Sequence, residues 1–175
     1  MQDWSAGLHA WHDFYVFMGA AAATLMGLMF VVMSLGQRSL ASERGSQVTR
    51  AFFTPIVVFF ATIIVVAALM LFPDTSPHTL GALLGAAALI GLGYMIASGA
   101  HDLWRTSELG LDDLVWYVIL PYASYAGIGI AGIATWSEAT FGFRIAAVAI
   151  LSFLLIGIRN AWDLVVYSIQ HPDPH

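Results

Sequence analysis

Residues 143–169, FRIAAVAILSFLLIGIRNAWDLVVYSI, decide the fold of this chain. The stretch is long enough to cross a bilayer as one α-helix, because about 20 mostly apolar residues span roughly 30 Å of hydrocarbon. Arg159, Asn160 and Asp163 interrupt it. Asp163 follows the other two at spacings of four and three, so all three are expected on one helical face. The stretch therefore predicts a membrane-spanning helix with a polar patch near its C-terminal end.

The composition of the whole chain agrees with a membrane protein. Of 175 residues, 59% are hydrophobic and only 10% are charged, whereas a soluble domain carries about 25% charged residues. Lipid must therefore surround most of the surface. Cysteine is absent, which excludes disulfides and thiolate metal sites. The net charge of −5 and the lack of a basic cluster argue against a nucleic-acid partner.

Five stretches have the length and apolarity of membrane spans. They are residues 14–35, 51–72, 80–100, 114–136 and 143–169. Short polar links separate them, and residues 73–77 contain two prolines that would break a continuing helix. We predict an all-α polytopic membrane protein, in which residues 1–175 form a single transmembrane domain with five transmembrane helices in one bundle.

Arginines set the predicted orientation. Arg38, Arg44 and Arg50 follow the first predicted span and Arg105 follows the third, whereas the N-terminal segment has no Lys or Arg. Cytoplasmic loops are enriched in these residues. We therefore predict the N-terminus outside and the C-terminus in the cytoplasm, in the cytoplasmic (inner) membrane of a bacterium.

Small residues indicate where helices pack closely. Gly19, Ala23 and Gly27 recur every four residues in the first span, a pattern that lets another backbone approach. The third span is rich in glycine, including Gly81 and Gly85. Because glycine in a membrane helix marks close contacts, we predict that the third span lies at the centre of the bundle.

Pro121 falls inside the fourth span and is followed by Tyr122 and Tyr125. Proline cannot donate a hydrogen bond to the preceding turn, so the helix is expected to kink there. The kink has two interpretations, a tolerated structural feature or a hinge or gate beside a polar cluster.

The polar patch of the fifth span also has two interpretations. Arg144 and Arg159 bracket an apolar run, so each arginine could anchor its end of the helix at a membrane surface. Alternatively the patch lies deeper and pairs inside the bundle, with Asp102 and His101 at the end of the third span as its nearest partners by depth.

Histidines on the predicted outer face suggest a metal site. His9, His12 and Asp13 precede the first span, and His78 lies in the loop after the second. Together they could bind Zn²⁺ or Cu²⁺. The alternative is a short amphipathic segment lying on the membrane, with these histidines beside interfacial tryptophans.

The sequence contains no recognisable catalytic or nucleotide-binding motif, and we predict that the protein is not an enzyme. Our first functional hypothesis is a homo-oligomeric channel or transport-type protein. Its pathway would run between subunits, lined by the kinked fourth span and the polar face of the fifth. The alternatives are a non-enzymatic accessory or scaffold subunit of a larger membrane complex, and an extracellular metal sensor.

Overall fold

The computed structural model describes residues 2–35, 54–98 and 114–170. These residues are helical apart from short turns and contain no β-strand. In chain order the elements are α1 (Gln2–Ala10), α2 (His12–Leu35), α3 (Thr54–Leu71), α4 (Pro77–Ala97), a π-helical segment (Val115–Ile119), α5 (Leu120–Trp136) and α6 (Phe141–Gln170). The predicted all-α class is confirmed for this part of the chain.

Four of the described helices are long and apolar enough to cross a membrane. The candidate spans are His12–Val32, Pro77–Ala97, Val115–Trp136 and Phe141–Trp162. Such lengths and compositions are compatible with a multi-pass membrane protein. The helix at the second predicted span is shorter, with its apolar part at Pro55–Leu71. The fifth crossing therefore stays a prediction.

The helices pack around α5 and α6. The last helix contacts α2, α3 and α5, and α5 in turn contacts α4. In the shared core, the rings of Phe59 and Phe153 stack with their centroids 5.2 Å apart. The candidate span in α6 is also the most buried of the four. Residues 143–169 thus form most of the helix that is buried most deeply among the candidate spans.

The glycine-rich third span does not lie at the centre, and that prediction is wrong. The candidate span in α4 is 33% buried, compared with 50% for the span that includes α5 and 56% for α6. Glycine in α4 instead allows a close contact with one helix, α5. A Cβ added to Gly81 would lie 2.6 Å from the carbonyl oxygen of Gly132 and 2.8 Å from the amide nitrogen of Trp136. Small residues bring two backbones together, and here they do so with a single neighbour.

The other predicted packing residues make looser contacts. A Cβ added to Gly19 would lie 3.2 Å from the Cβ of Ala67, so α2 and α3 approach closely there. Ala23 is exposed, and a Cβ at Gly27 or Gly85 would meet no atom of the described residues within 4 Å.

The residues at the start of α4 explain why this helix begins earlier in the chain than predicted. Helix α4 begins at Pro77, three residues before the predicted Leu80. The backbone N–H of Thr79 donates to the Ser76 hydroxyl at 3.1 Å, which caps the helix. Proline is favoured at the first helical position because its missing N–H would have no partner there. A residue expected to break a helix therefore begins one.

One end of the bundle, which we call the Phe143 end, joins α1, α2 and α6. The Tyr15 hydroxyl of α2 donates a buried hydrogen bond of 2.7 Å to the carbonyl oxygen of Phe143. The Trp4 ring of α1 packs on the Phe143 ring at a centroid distance of 5.9 Å. Helix α1 therefore lies against the first turn of α6.

The turn after α5 stores strain that a substitution should release. Glu138 has a φ of 59°, and the Ala139 N–H donates to the carbonyl oxygen of Ala134 at 2.9 Å. This is the left-handed position that glycine normally occupies at the end of a helix. We expect Glu138→Gly to raise the free energy of unfolding by about 0.5–1 kcal/mol, because the left-handed conformation costs other residues more than it costs glycine.

Unfolding in mixed detergent micelles would measure this change. The matched control is Ser137→Gly, because Ser137 has a φ of −84° and no left-handed strain to lose. The control should be neutral or destabilising. Equal effects of the two substitutions would contradict the expectation.

Candidate functional site

One side of α6 carries an arginine near each end. Arg144, Val148, Ser152, Leu155 and Arg159 follow one another at spacings of three or four residues, which puts them on one helical face. We call this face the arginine stripe. Both arginines are exposed, as are Val148 and Leu155 between them. At 1.5 Å per residue, the two arginines are about 22 Å apart along the helix axis.

A groove of about 350 Å³ runs beside the arginine stripe, between α5 and α6. Its walls include Ala123, Ser124 and Gly127 of α5 and Arg144, Val148 and Ser152 of α6. The hydroxyl of Ser124 donates to the carbonyl oxygen of Leu120 at 2.8 Å, and that of Ser152 donates to Val148 at 2.9 Å. Because both hydroxyls are satisfied by their own helices, the groove is apolar, with a guanidinium at one end.

The other arginine of the stripe lies over an aromatic ring. The Cζ atom of Arg159 is 4.9 Å from the centroid of the Trp116 ring, which belongs to the π-helical segment. A guanidinium within about 6 Å of a ring centroid is attracted by the ring quadrupole. The contact joins the C-terminal half of α6 to the start of the preceding span.

The neighbouring residue of the predicted polar patch lies inside the bundle. Asn160 is 2% exposed, and its Oδ1 atom has no hydrogen-bond partner among the residues that the structure describes. A buried acceptor left without a partner costs about 1–3 kcal/mol. The side chain of Asp163, and the predicted partners Asp102 and His101, lie outside the described residues. The patch is therefore split, with Arg159 exposed and Asn160 inside.

A π-helical segment lies where Pro121 was expected to distort the fourth span. The Leu120 N–H donates to the carbonyl oxygen of Val115, five residues earlier, and Pro121 follows at once and is buried. Proline cannot continue the ladder of backbone hydrogen bonds, and single π-helical turns are often found at functional sites. This irregular turn is the element that places Trp116 against Arg159.

A second polar side chain, that of Tyr125, is buried inside the bundle. The Tyr125 ring is fully buried, and its hydroxyl shares a hydrogen bond of 3.1 Å with the Thr62 hydroxyl of α3. The ring meets Phe153 of α6 edge to face, with centroids 4.6 Å apart. It also lies against Gly91 of α4. Tyr125 thus joins four helices, whereas Tyr122, three residues earlier, is half-buried.

The predicted metal ligands are only partly brought together. The His12 Nδ1 and Asp13 Oδ1 atoms are 3.2 Å apart, and the His9 and His12 rings have centroids 6.4 Å apart. His78 instead packs edge-on against Trp136 at 5.1 Å. Within residues 2–35, 54–98 and 114–170, no group of three or more His, Asp or Glu side chains is placed to hold a metal ion.

Sequence reasoning missed two parts of the site, namely Trp116 and the role of Ser152. The available signal was the helical spacing of Ser152 between the two arginines. Comparison of the chain with models of known protein families, with curated proteins and with solved structures gave no match.

Proposed function

We propose that this chain is a channel or transport-type membrane protein that works as a homo-oligomer and is not an enzyme. In this proposal five helices cross a bacterial cytoplasmic membrane, with the N-terminus outside. The proposal depends on the arginine stripe, because the stripe places a guanidinium near each end of an apolar span, with Ser152 between them. Charged residues within membrane spans are costly and mark ion or substrate pathways when they do not serve as surface anchors.

The packed interior supports a pathway between copies of the chain. The Tyr125 ring fills the space where α3, α4, α5 and α6 meet, and Asn160 is turned inward. The groove between α5 and α6, in contrast, opens at the surface. A pathway formed by facing arginine stripes would be lined by the irregular fourth span and by the exposed side of α6.

Cysteine cross-linking tests where the copies meet. The chain has no cysteine, so a single Ser152→Cys substitution provides one thiol in the middle of the stripe. With a short bifunctional thiol reagent in mild detergent, we expect a ladder of covalent oligomers. The control is Ile90→Cys on α4, at a side chain that is 74% exposed. Monomers only, or equal ladders from both variants, would contradict the proposal.

Flux through liposomes tests the transport function itself. We expect Arg159→Gln to lower the flux of an anionic cargo about tenfold. A tenfold loss corresponds to raising the rate-limiting free-energy barrier by about 1.4 kcal/mol. Iodide and a fluorescent phosphatidylglycerol would be measured in parallel. Empty liposomes and Arg159→Lys, which keeps the charge, are the controls. Protein that forms no oligomer and moves neither cargo would exclude the proposed function.

A second candidate is a non-enzymatic accessory subunit of a larger membrane complex. The filled interior favours it, because a scaffold needs only a rigid bundle and an apolar outer surface. Leu89, Ile90 and Ile133 supply such a surface on α4 and α5, with exposures of 72–74%. A monomer that co-purifies with one defined membrane partner in fixed stoichiometry would favour this candidate over the homo-oligomer.

A further inference from the structure

We infer that the groove between α5 and α6 binds an anionic phospholipid, with one acyl chain in the groove and the phosphate at Arg144. The inference rests on the proposed function only in taking this lipid as the substrate class of the transport surface. The binding itself is a property of one copy of the chain.

The walls of the groove suit an acyl chain. Ala123 and Gly127 on α5 face Ala149 on α6 across a volume of about 350 Å³. Ser124 and Ser152 direct their hydroxyls to their own helices, so the walls between the two helices expose no unsatisfied hydroxyl, and Arg144 at one end is the charged lining residue. From Arg144 to Ser152 the groove follows eight residues of α6, or about 12 Å along the axis. An extended hydrocarbon tail can follow this path without leaving a polar group unpaired.

An apolar groove alone would not select one lipid from the surrounding bilayer, because lipid tails are as apolar as leucine. The charge at its end supplies the selection. Arg144 is exposed and lines the groove. Among the residues that the structure describes, no ion pair to Arg144 is found. Arginine binds phosphate through two parallel charge-assisted hydrogen bonds.

The position of Arg144 matches the level of a lipid headgroup. It lies one turn inside the start of α6 at Phe141, just after the turn that ends α5 at Trp136. Phe141 and Trp136 are 55% and 51% exposed. Exposed aromatic residues near the ends of spans are typical of the membrane–water interface. A phosphate at Arg144 would therefore lie at the interface, while the attached tail enters the groove.

Native mass spectrometry of the purified full chain with added lipid tests the inference. We expect the protein to retain phosphatidylglycerol several-fold more than phosphatidylcholine with the same tails. Arg144→Gln should abolish that preference, and Arg144→Lys should keep part of it. Arg38→Gln is the matched control, because it removes the same charge from the link after the first predicted span, which has no role in the proposed pathway. It should leave the preference unchanged.

A second variant tests the groove independently of the charge. A Cβ at Gly127 would lie 3.4 Å from the Cβ of Ala149, an ordinary contact, so a larger side chain should extend into the groove without a backbone clash. Gly127→Leu should lower retention of phosphatidylglycerol at least as much as Arg144→Gln. Helix content and elution volume would verify folding.

The outcomes separate this inference from the proposed function. Equal retention of the two lipids by the unmodified protein, equal losses in Arg144→Gln and Arg38→Gln, or full retention by Gly127→Leu would each overturn the lipid site. Selective binding that depends on Arg144 and Gly127, in protein that forms no oligomer and transports no cargo, would uphold the site and exclude the transport function.

Discussion

Replacing Gly91 with alanine is expected to lower the free energy of unfolding by about 3 kcal/mol, at the upper end of the usual cost of overpacking a core. The new methyl group would overlap the Tyr125 ring. That ring cannot turn aside easily, because it is fully buried, contacts Phe153 edge to face and shares a hydrogen bond with Thr62. Either the ring leaves this position or α4 moves away from α5.

Gly93→Ala is the matched control for this substitution. It lies two residues away on the same helix, is exposed, and would place its Cβ more than 4 Å from any atom of the described residues. Alanine favours helix by about 1 kcal/mol over glycine, so the control should be neutral or stabilising. Unfolding in mixed micelles would measure the difference. In the double variant Gly91→Ala/Tyr125→Leu, the smaller leucine side chain leaves room for the new methyl group. The double variant should therefore recover part of the lost free energy of unfolding. Equal stability of Gly91→Ala and Gly93→Ala would show that Tyr125 does not fill this space.

The helices themselves could be predicted because membrane spans are long uninterrupted apolar runs. The fourth predicted span, 114–136, and the fifth, 143–169, agree with the described helices to within two residues. The number of neighbours around a helix was not predictable in this way. Glycine content indicates that something approaches closely, but the α4 glycines approach α5 and leave much of α4 exposed.

The candidate site was only partly predictable, for a geometric reason. The spacing of the polar patch put Arg159 and Asn160 on one broad face, but adjacent residues of an α-helix are about 100° apart, at 3.6 residues per turn. The boundary between packed and exposed surface falls between these two residues, and periodicity alone cannot locate it. The hydrogen bond from Tyr15 to Phe143 joins residues 128 apart in sequence. No local pattern reveals such a pair.

Gly81→Ala should also lower the free energy of unfolding by about 3 kcal/mol, through a different part of the same helix pair. The atoms that its Cβ would meet are the Gly132 carbonyl oxygen at 2.6 Å, the Trp136 amide nitrogen at 2.8 Å and the Trp136 Cβ at 2.9 Å. Backbone atoms cannot rotate away as a side chain can. The helices α4 and α5 must therefore separate along their contact, which weakens the dispersion attraction that holds membrane helices together.

Gly85→Ala, one turn along α4, is the matched control, because in the described part of the chain its own Cβ would meet no atom within 4 Å. We expect it to be neutral or slightly stabilising. Gly132→Ala should repeat the loss, since its Cβ would lie 2.8 Å from the Gly81 carbonyl oxygen. Once one alanine has forced the helices apart, the second has less contact left to break. The double variant should therefore lose less than the sum of the two single losses. Additive losses would mean that each glycine acts within its own helix and that α4 and α5 do not meet there.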